Sequence, residues 1–281
     1  MDLDIFSPDS NRYLLGKGTF QFACHSGVAC FTRCCHDADM YLYPYDIVRL
    51  KQALNLSTDE IMARIELFLL GPPRLERDGL LLQFDTRKIL ALAAYLAVSG
   101  LGAEGACVSR DSLLALLWPE LEPSRARAGL RRNLSALRAT LGEEWLLVNR
   151  ETVGLNPEAG LWVDVERFRD LLRTSSGNLD ALEEAVALYR GDFLEGFGLA
   201  DSAQFDDWQF FEGEGLRQEL ASALERLVRA HTARQAYEKA IQHARRWLAL
   251  DLLHEPVHRV LIALYDRAGQ RAGVADAGGA A

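Results

Sequence analysis

Much of what would mark an enzyme or a membrane protein is missing from this 281-residue chain. No apolar run approaches the roughly 20 residues of a spanning helix, so no membrane association is expected. The opening MDLDIFSPDS has neither the basic nor the apolar region of a signal peptide, and a cytoplasmic protein is the expectation. Positive charge is not in excess. The formal net charge is −9, which argues against a protein that coats nucleic acid without regard to sequence. Gly16-Lys17-Gly18-Thr19 lacks the earlier glycine and the spacing of a phosphate-binding loop. No acidic pocket with a partner lysine is recognisable, so control by phosphorylation is not expected. His254-Glu255-Pro256-Val257-His258 matches the zinc-protease pattern, but Pro256 favours the first helical position and puts His254 ahead of the helix. The two histidines then fail to share a face, and no His or Glu follows to supply a third ligand. No enzyme is expected.

Cysteine is sparse: four of the five lie within twelve residues (Cys24, Cys30, Cys34 and Cys35), and Cys107 stands alone. In a reducing compartment such a cluster points to a metal more than to disulfides. Its spacing offers four thiolates to zinc or an iron–sulfur cluster, with His25 and His36 as substitutes; no other cofactor is expected. Vicinal Cys34–Cys35 is not a zinc-ribbon spacing, however, and no second cysteine pair follows. In the run FACHSGVACFTRCC and the later YPYDIVRLKQALNLS, the segment resembles the start of YkgJ-type cysteine-cluster proteins, whose further downstream cysteines are absent here. After Ser57 and Glu60, a capping-box pair, Met62-Ala63-Arg64 reads like a fresh protein start. Residues 1–61 are therefore expected to be a partly disordered fragment, fused to or misread upstream of a regulator that begins at Met62.

The richest stretch is Pro123 to Leu141, PSRARAGLRRNLSALRATL, with arginines at 125, 127, 131, 132 and 138. On a helix, Leu130, Leu134, Leu137 and Leu141 form one core stripe. Away from it lie the small residues Ser124, Ala128 and Ser135, flanked by Arg127, Arg131 and Arg138 on one side and by Arg125 and Arg132 on the other. A slim face with cationic edges suits a DNA groove, because arginines reach both phosphate walls. A solvated arginine-rich surface helix fits the same pattern.

The surroundings decide between them. Ile65 to Leu70 reads as a strand, and Leu75 to Phe84 as a hairpin turning at Asp78-Gly79. Lys88 to Val98 is apolar on nearly all sides and predicts a buried helix. Ser109 caps a short helix that Pro119 stops. The arginine helix follows, with Pro123 before Ser124 as its start signal and Gly142 as its stop. Trp145–Val148 and Thr152–Leu155 then read as two strands with Arg150 at the tip. Helix–turn–helix plus hairpin is a winged helix. The run FLLGPPRLERDG…TRKILALAAYLAV…SRDSLLALLWPELEPSRARAGLRRNLSALRATLG…ETVGLNP resembles SARP-type bacterial transcriptional activators. The resemblance implies a response-regulator-type winged helix over residues 62–160, with Ser124–Leu141 as the recognition helix in the major groove of double-stranded DNA. It implies groove or phosphate contacts for Arg127, Arg131 and Arg132, a place at the helix start for Arg125, and a backbone contact or a solvated position for Arg138.

Residues 161–281 carry twenty acidic and fourteen basic groups. Residues 161–168 read as a connector. Helices are predicted at 178–189, about 205–234, 237–250 and 255–268, the last pair with tetratricopeptide-like spacing. LEEAVALYRGDFLEGF…HARRWLALDLLHEPVHRVLIALYDRAGQR resembles the bacterial transcriptional activation domain of the same family. This implies a helical surface at 161–270 for homodimer or partner contacts, RNA polymerase included. The fold class is thus mainly α with small β elements. The ending AGVADAGGAA reads as a disordered tail over 271–281, a truncation expected to expose Val260, Leu261 and Leu264. Two other functions stay open: a metal-binding or redox protein built on the cysteine cluster, and a helical scaffold whose winged helix no longer binds DNA.

Overall fold

The computed structural model describes residues 65–100, 107–175 and 177–269. The cysteine cluster, the rest of residues 1–61 and the tail 271–281 lie outside the described residues.

The chain opens with an antiparallel meander, β1 (Ile65–Phe68), β2 (Arg74–Arg77) and β3 (Leu80–Leu81), with Ile65 opposite Arg77 and Phe68 opposite Arg74. Between β2 and β3 the backbone turns with positive φ at both Asp78 (54°) and Gly79 (76°). That is the type I′ geometry that the Asp-Gly pair predicts. Helix α1 (Arg87–Gly100) is buried along most of its length, in keeping with its apolar circumference. A short strand β4 (Val108–Ser109) leads into α2 (Arg110–Leu117), where the Ser109 hydroxyl accepts a hydrogen bond from the Ser112 amide at 3.0 Å.

Helix α3 (Pro123–Leu141) follows, then a 3-10 turn (Glu143–Trp145) and the hairpin β5 (Leu146–Val148) and β6 (Thr152–Leu155). Strand β4 pairs with β6, so the wing is a three-stranded sheet in the order β4-β6-β5. Two residues of strand are too few to leave a period, and β4 was not legible in the sequence.

Residues 161–168 are not the expected connector. Trp162–Val163 form β7, which pairs in parallel with β1 (Glu66 opposite Trp162), and α4 (Asp164–Thr174) starts immediately after it. The first sheet therefore runs β3-β2-β1-β7. Beyond it lie α5 (Leu179–Leu188), α6 (Ala203–Ala233), α7 (Tyr237–Leu250) and α8 (Glu255–Arg267).

One apolar core runs from Ile65 on β1 to Leu227 on α6, joining the winged helix to the first helices of the helical segment. Polar contacts cross the same junction. Ser202 caps α6 with its hydroxyl and donates that hydroxyl's proton to the Leu116 carbonyl of α2. The link 191–195 lies against the end of β1, with the Leu194 amide donating to the Leu69 carbonyl at 2.8 Å. A second, smaller core gathers Val228, Ala240, Ile241, Ala244, Val257, Leu261, Leu264 and Tyr265. This corrects the expectation for the last helix: Leu261 and Leu264 are both 2% exposed, and Val260 is half-buried. They pack on α7, which serves as the partner a further helix was expected to provide. The exposed apolar groups there are Leu252 and Leu253 in the turn before α8 and Ile262 on α8 itself.

Candidate DNA-binding face

Helix α3 is 19 residues long, about 28 Å of axis, roughly the span of several base pairs of major groove. Its inward stripe is as expected: Leu130, Leu134, Leu137 and Leu141 are buried, with Ala126 and Asn133 beside them. It starts at Pro123, and Glu122 caps it, accepting from the Ser124 amide at 2.9 Å and from the Ser124 hydroxyl. The Ser124 hydrogen bonds hold the Glu122 carboxyl below the usual carboxylate range. At the far end the chain leaves the helix through Gly142 (φ 110°), and Arg77 of β2 donates to the Leu141 carbonyl at 2.7 Å. An orphan carbonyl is thereby satisfied, and the last turn is tied to the first sheet.

The crossing of α2 and α3 depends on Gly129. A Cβ at that position would stand 3.1 Å from the indole of Trp118, the residue that ends α2. Trp118 is itself buried, so the indole has little room to retreat.

On the outward face Arg125, Arg127, Arg131 and Arg132 are all exposed, and Ser124 and Ser135 lie exposed among them. None of these four arginines makes an ion pair or hydrogen bond from its side chain to a described residue. The contrast with the helical segment is sharp. There Arg167 pairs with Glu184, Arg169 with Glu212 and Glu219, Arg217 with Asp192, and Arg229 with Glu225. Arg138 is half-buried, and its Nε is buried without a hydrogen-bond partner among the described residues.

The wing completes the face. The Asn149 side chain accepts from the amides of Glu151 (2.8 Å) and Thr152 (2.7 Å), which folds the tip back and leaves Arg150 exposed. Arg110, at the start of α2, donates through Nε to the Asn149 carbonyl at 3.0 Å. Arg110, Arg131 and Arg138 share a cleft of about 480 Å³ between α3 and the wing. Arg110 was not among the residues singled out by sequence. A lone arginine after a capping serine carries no periodic signal, and only the pairing of β4 with β6 brings it to the wing.

A winged helix that leads through a shared sheet into an all-helical, TPR-like segment defines the class of protein. Comparison with known proteins shows what the chain is similar to. Residues 163–275 match the bacterial transcriptional activator domain. The chain is 28% identical over 197 residues to the regulatory protein AfsR of Streptomyces coelicolor, covering 62% of this chain and 19% of AfsR. Its fold is similar to that of Mycobacterium tuberculosis EmbR, solved in complex with a low-affinity phosphopeptide. The TM-score is 0.60 at 24% identity, over 77% of this chain and 58% of the other. The chain thus spans about a fifth of AfsR's length and somewhat over half of EmbR's. In its architecture and its similarities the chain resembles SARP-type bacterial transcriptional activators. No described helix is long and apolar enough to cross a membrane.

Proposed function

We propose that this chain is a sequence-specific DNA-binding transcriptional regulator, an activator, that places α3 in the major groove. The observation that carries the reading is the row of exposed arginines on α3 that pair with no described residue, whereas Arg167, Arg169, Arg217 and Arg229 of the helical segment each meet a carboxylate. A face kept unpaired in this way is ready to exchange its counterions for phosphates. Arg127, Arg131 and Arg132 are assigned to groove or phosphate contacts. Arg125 is assigned to the helix start, Arg138 to the backbone beside Arg110, and Arg150 to the wing. The cytoplasm is the proposed compartment.

The test is a salt titration of DNA binding, on sites obtained by in vitro selection with the full chain. Log affinity should fall linearly with log salt, by about 0.9 for each phosphate neutralised. Arg131→Ala should flatten that slope by about one if Arg131 meets a phosphate. A folded protein that shifts no DNA at low salt would sink the proposal and leave the scaffold reading.

The helical segment is proposed to supply dimer or partner contacts, RNA polymerase among the latter. Phe210 and Phe211 on α6 are 62% and 72% exposed beside a groove that also holds Asp206 and Glu214. Changing both phenylalanines to serine should lower reporter activation and leave DNA affinity unchanged. Unaltered activation would remove this surface from the proposal.

A further inference from the structure

Three metal-ligating side chains from three different helices meet at the outer end of the helical segment. Glu183 stands on α5, His231 in the last turn of α6 and His243 on α7. One donor atom from each lies within 4.8 Å of the other two, and no other such group of three occurs among the described residues. His231 is 3% exposed, and its Nε2 lies 2.9 Å from Glu183 Oε1. His243 stacks on His231 with ring centroids 5.4 Å apart and planes 13° from parallel.

A buried histidine with one carboxylate partner is a common way to satisfy a core. The second imidazole is what that account leaves over. His243 makes no hydrogen bond to a described residue, yet it is half-buried with its ring against another imidazole.

We propose that Glu183, His231 and His243 form a zinc site, two imidazoles and a carboxylate leaving a fourth position to water. Zinc bonds of about 2.0–2.1 Å in a tetrahedron set neighbouring donors about 3.3 Å apart. The His231–Glu183 pair opens slightly to reach this spacing, and the most distant donor closes by about 1.5 Å, within the reach of side-chain torsions. Lys239 competes for the carboxylate, its Nζ 3.6 Å from Glu183 Oε1, but its side chain is 60% exposed and free to swing into water. The ion ties α5, which belongs to the main core through Leu182 and Ala185, to α7, which belongs to the smaller core through Ala240 and Ala244. Zinc here is a staple between the two.

The test uses the full chain with Cys24, Cys30, Cys34, Cys35 and the exposed Cys107 all replaced by serine, so that thiolates do not report. Cobalt(II) alone is expected to bind at one equivalent, with visible d–d bands and no thiolate charge-transfer band, and zinc should displace it and raise Tm. His243→Ala and, separately, Glu183→Gln should each weaken cobalt binding by at least the ~10-fold typical of losing even an outer partner of a ligand. Both sites are partly exposed, and circular dichroism checks that each variant folds. Absence of cobalt binding by the cysteine-free parent overturns the proposal. Binding that persists unchanged in both folded variants places the ion elsewhere, and equally overturns it.

Discussion

Asp164 is the residue on which the junction turns. Strand β1 ends at Phe68, and the amides of Leu69 and Leu70 would be orphaned inside the core. The Asp164 carboxylate accepts from both at 2.9 Å, and from the Val165 amide at 2.8 Å, while itself 1% exposed. Burial outweighs these bonds and pushes its pKa up to about 6 from an ordinary 3.8. A folded-state value above the unfolded one means the folded chain resists ionisation of this group. Its contribution is full below about pH 4 and is lost as pH rises through about 6. Asp164→Asn abolishes the titration and turns an amide donor toward a backbone donor, which should cost about 1–3 kcal/mol. In urea unfolding, the gap in stability between wild type and variant should narrow as pH rises from 4 to about 7. A gap that widens would show that the three amides, not burial, control the carboxyl.

Among the elements, α3 was the most legible and the most constrained. Its leucine period, its arginine edges and its glycine stop were all readable, because a helix that buries one face writes that face at a spacing of 3.6 residues. Its approach to α2 was not, since Gly129 in mid-helix looks like a mere loss of helix propensity until Trp118 is placed against it. Gly129→Leu should force α3 off α2 at a cost of about 1–3 kcal/mol, the range of an overpacked core. It should also weaken DNA binding more than its loss of stability explains, which a binding titration of the folded fraction measures. On the acidic side, Arg169 of α4 holds Glu212 (2.6 Å) and Glu219 (3.2 Å) of α6. Arg169→Ala strands two half-buried carboxylates and should cost about 1.5–3 kcal/mol in urea unfolding, a cost reduced at high salt.

At the scale of the whole molecule, the division of residues 62–160 from 161–270 crosses a sheet and a continuous core. Strand β7 and Asp164 come after residue 160, yet both complete β1. A fragment of residues 62–160 is therefore expected to lose its cooperative thermal transition, while residues 62–270 keep one. A fragment ending at 160 that melts sharply, at a Tm close to that of 62–270, would show the junction to be dispensable. The placing of residues 1–61 as a separate piece rests on sequence. It would fail if residues 62–281 did not fold by themselves.

Helix α3 was therefore largely determined by sequence. Local periodicity, capping and turn chemistry specify α1, α2, α3, the Asp78-Gly79 hairpin and the last helices, because each depends on residues a few positions apart. What only the tertiary structure decided depends on partners far apart in the chain. Strand β7 is too short to carry a pattern, and its parallel partner lies about a hundred residues earlier. Arg110 reaches the wing only through a strand pairing. Glu183, His231 and His243 stand on three helices whose sequence shows no ligand spacing at all. The expected exposure of Leu261 and Leu264 was wrong for the same reason: whether they are covered is settled by the packing of α7, which no residue of α8 announces. Arginines that stay unpaired on α3 are legible as a pattern; that they stay unpaired depends on which carboxylates the fold brings near them.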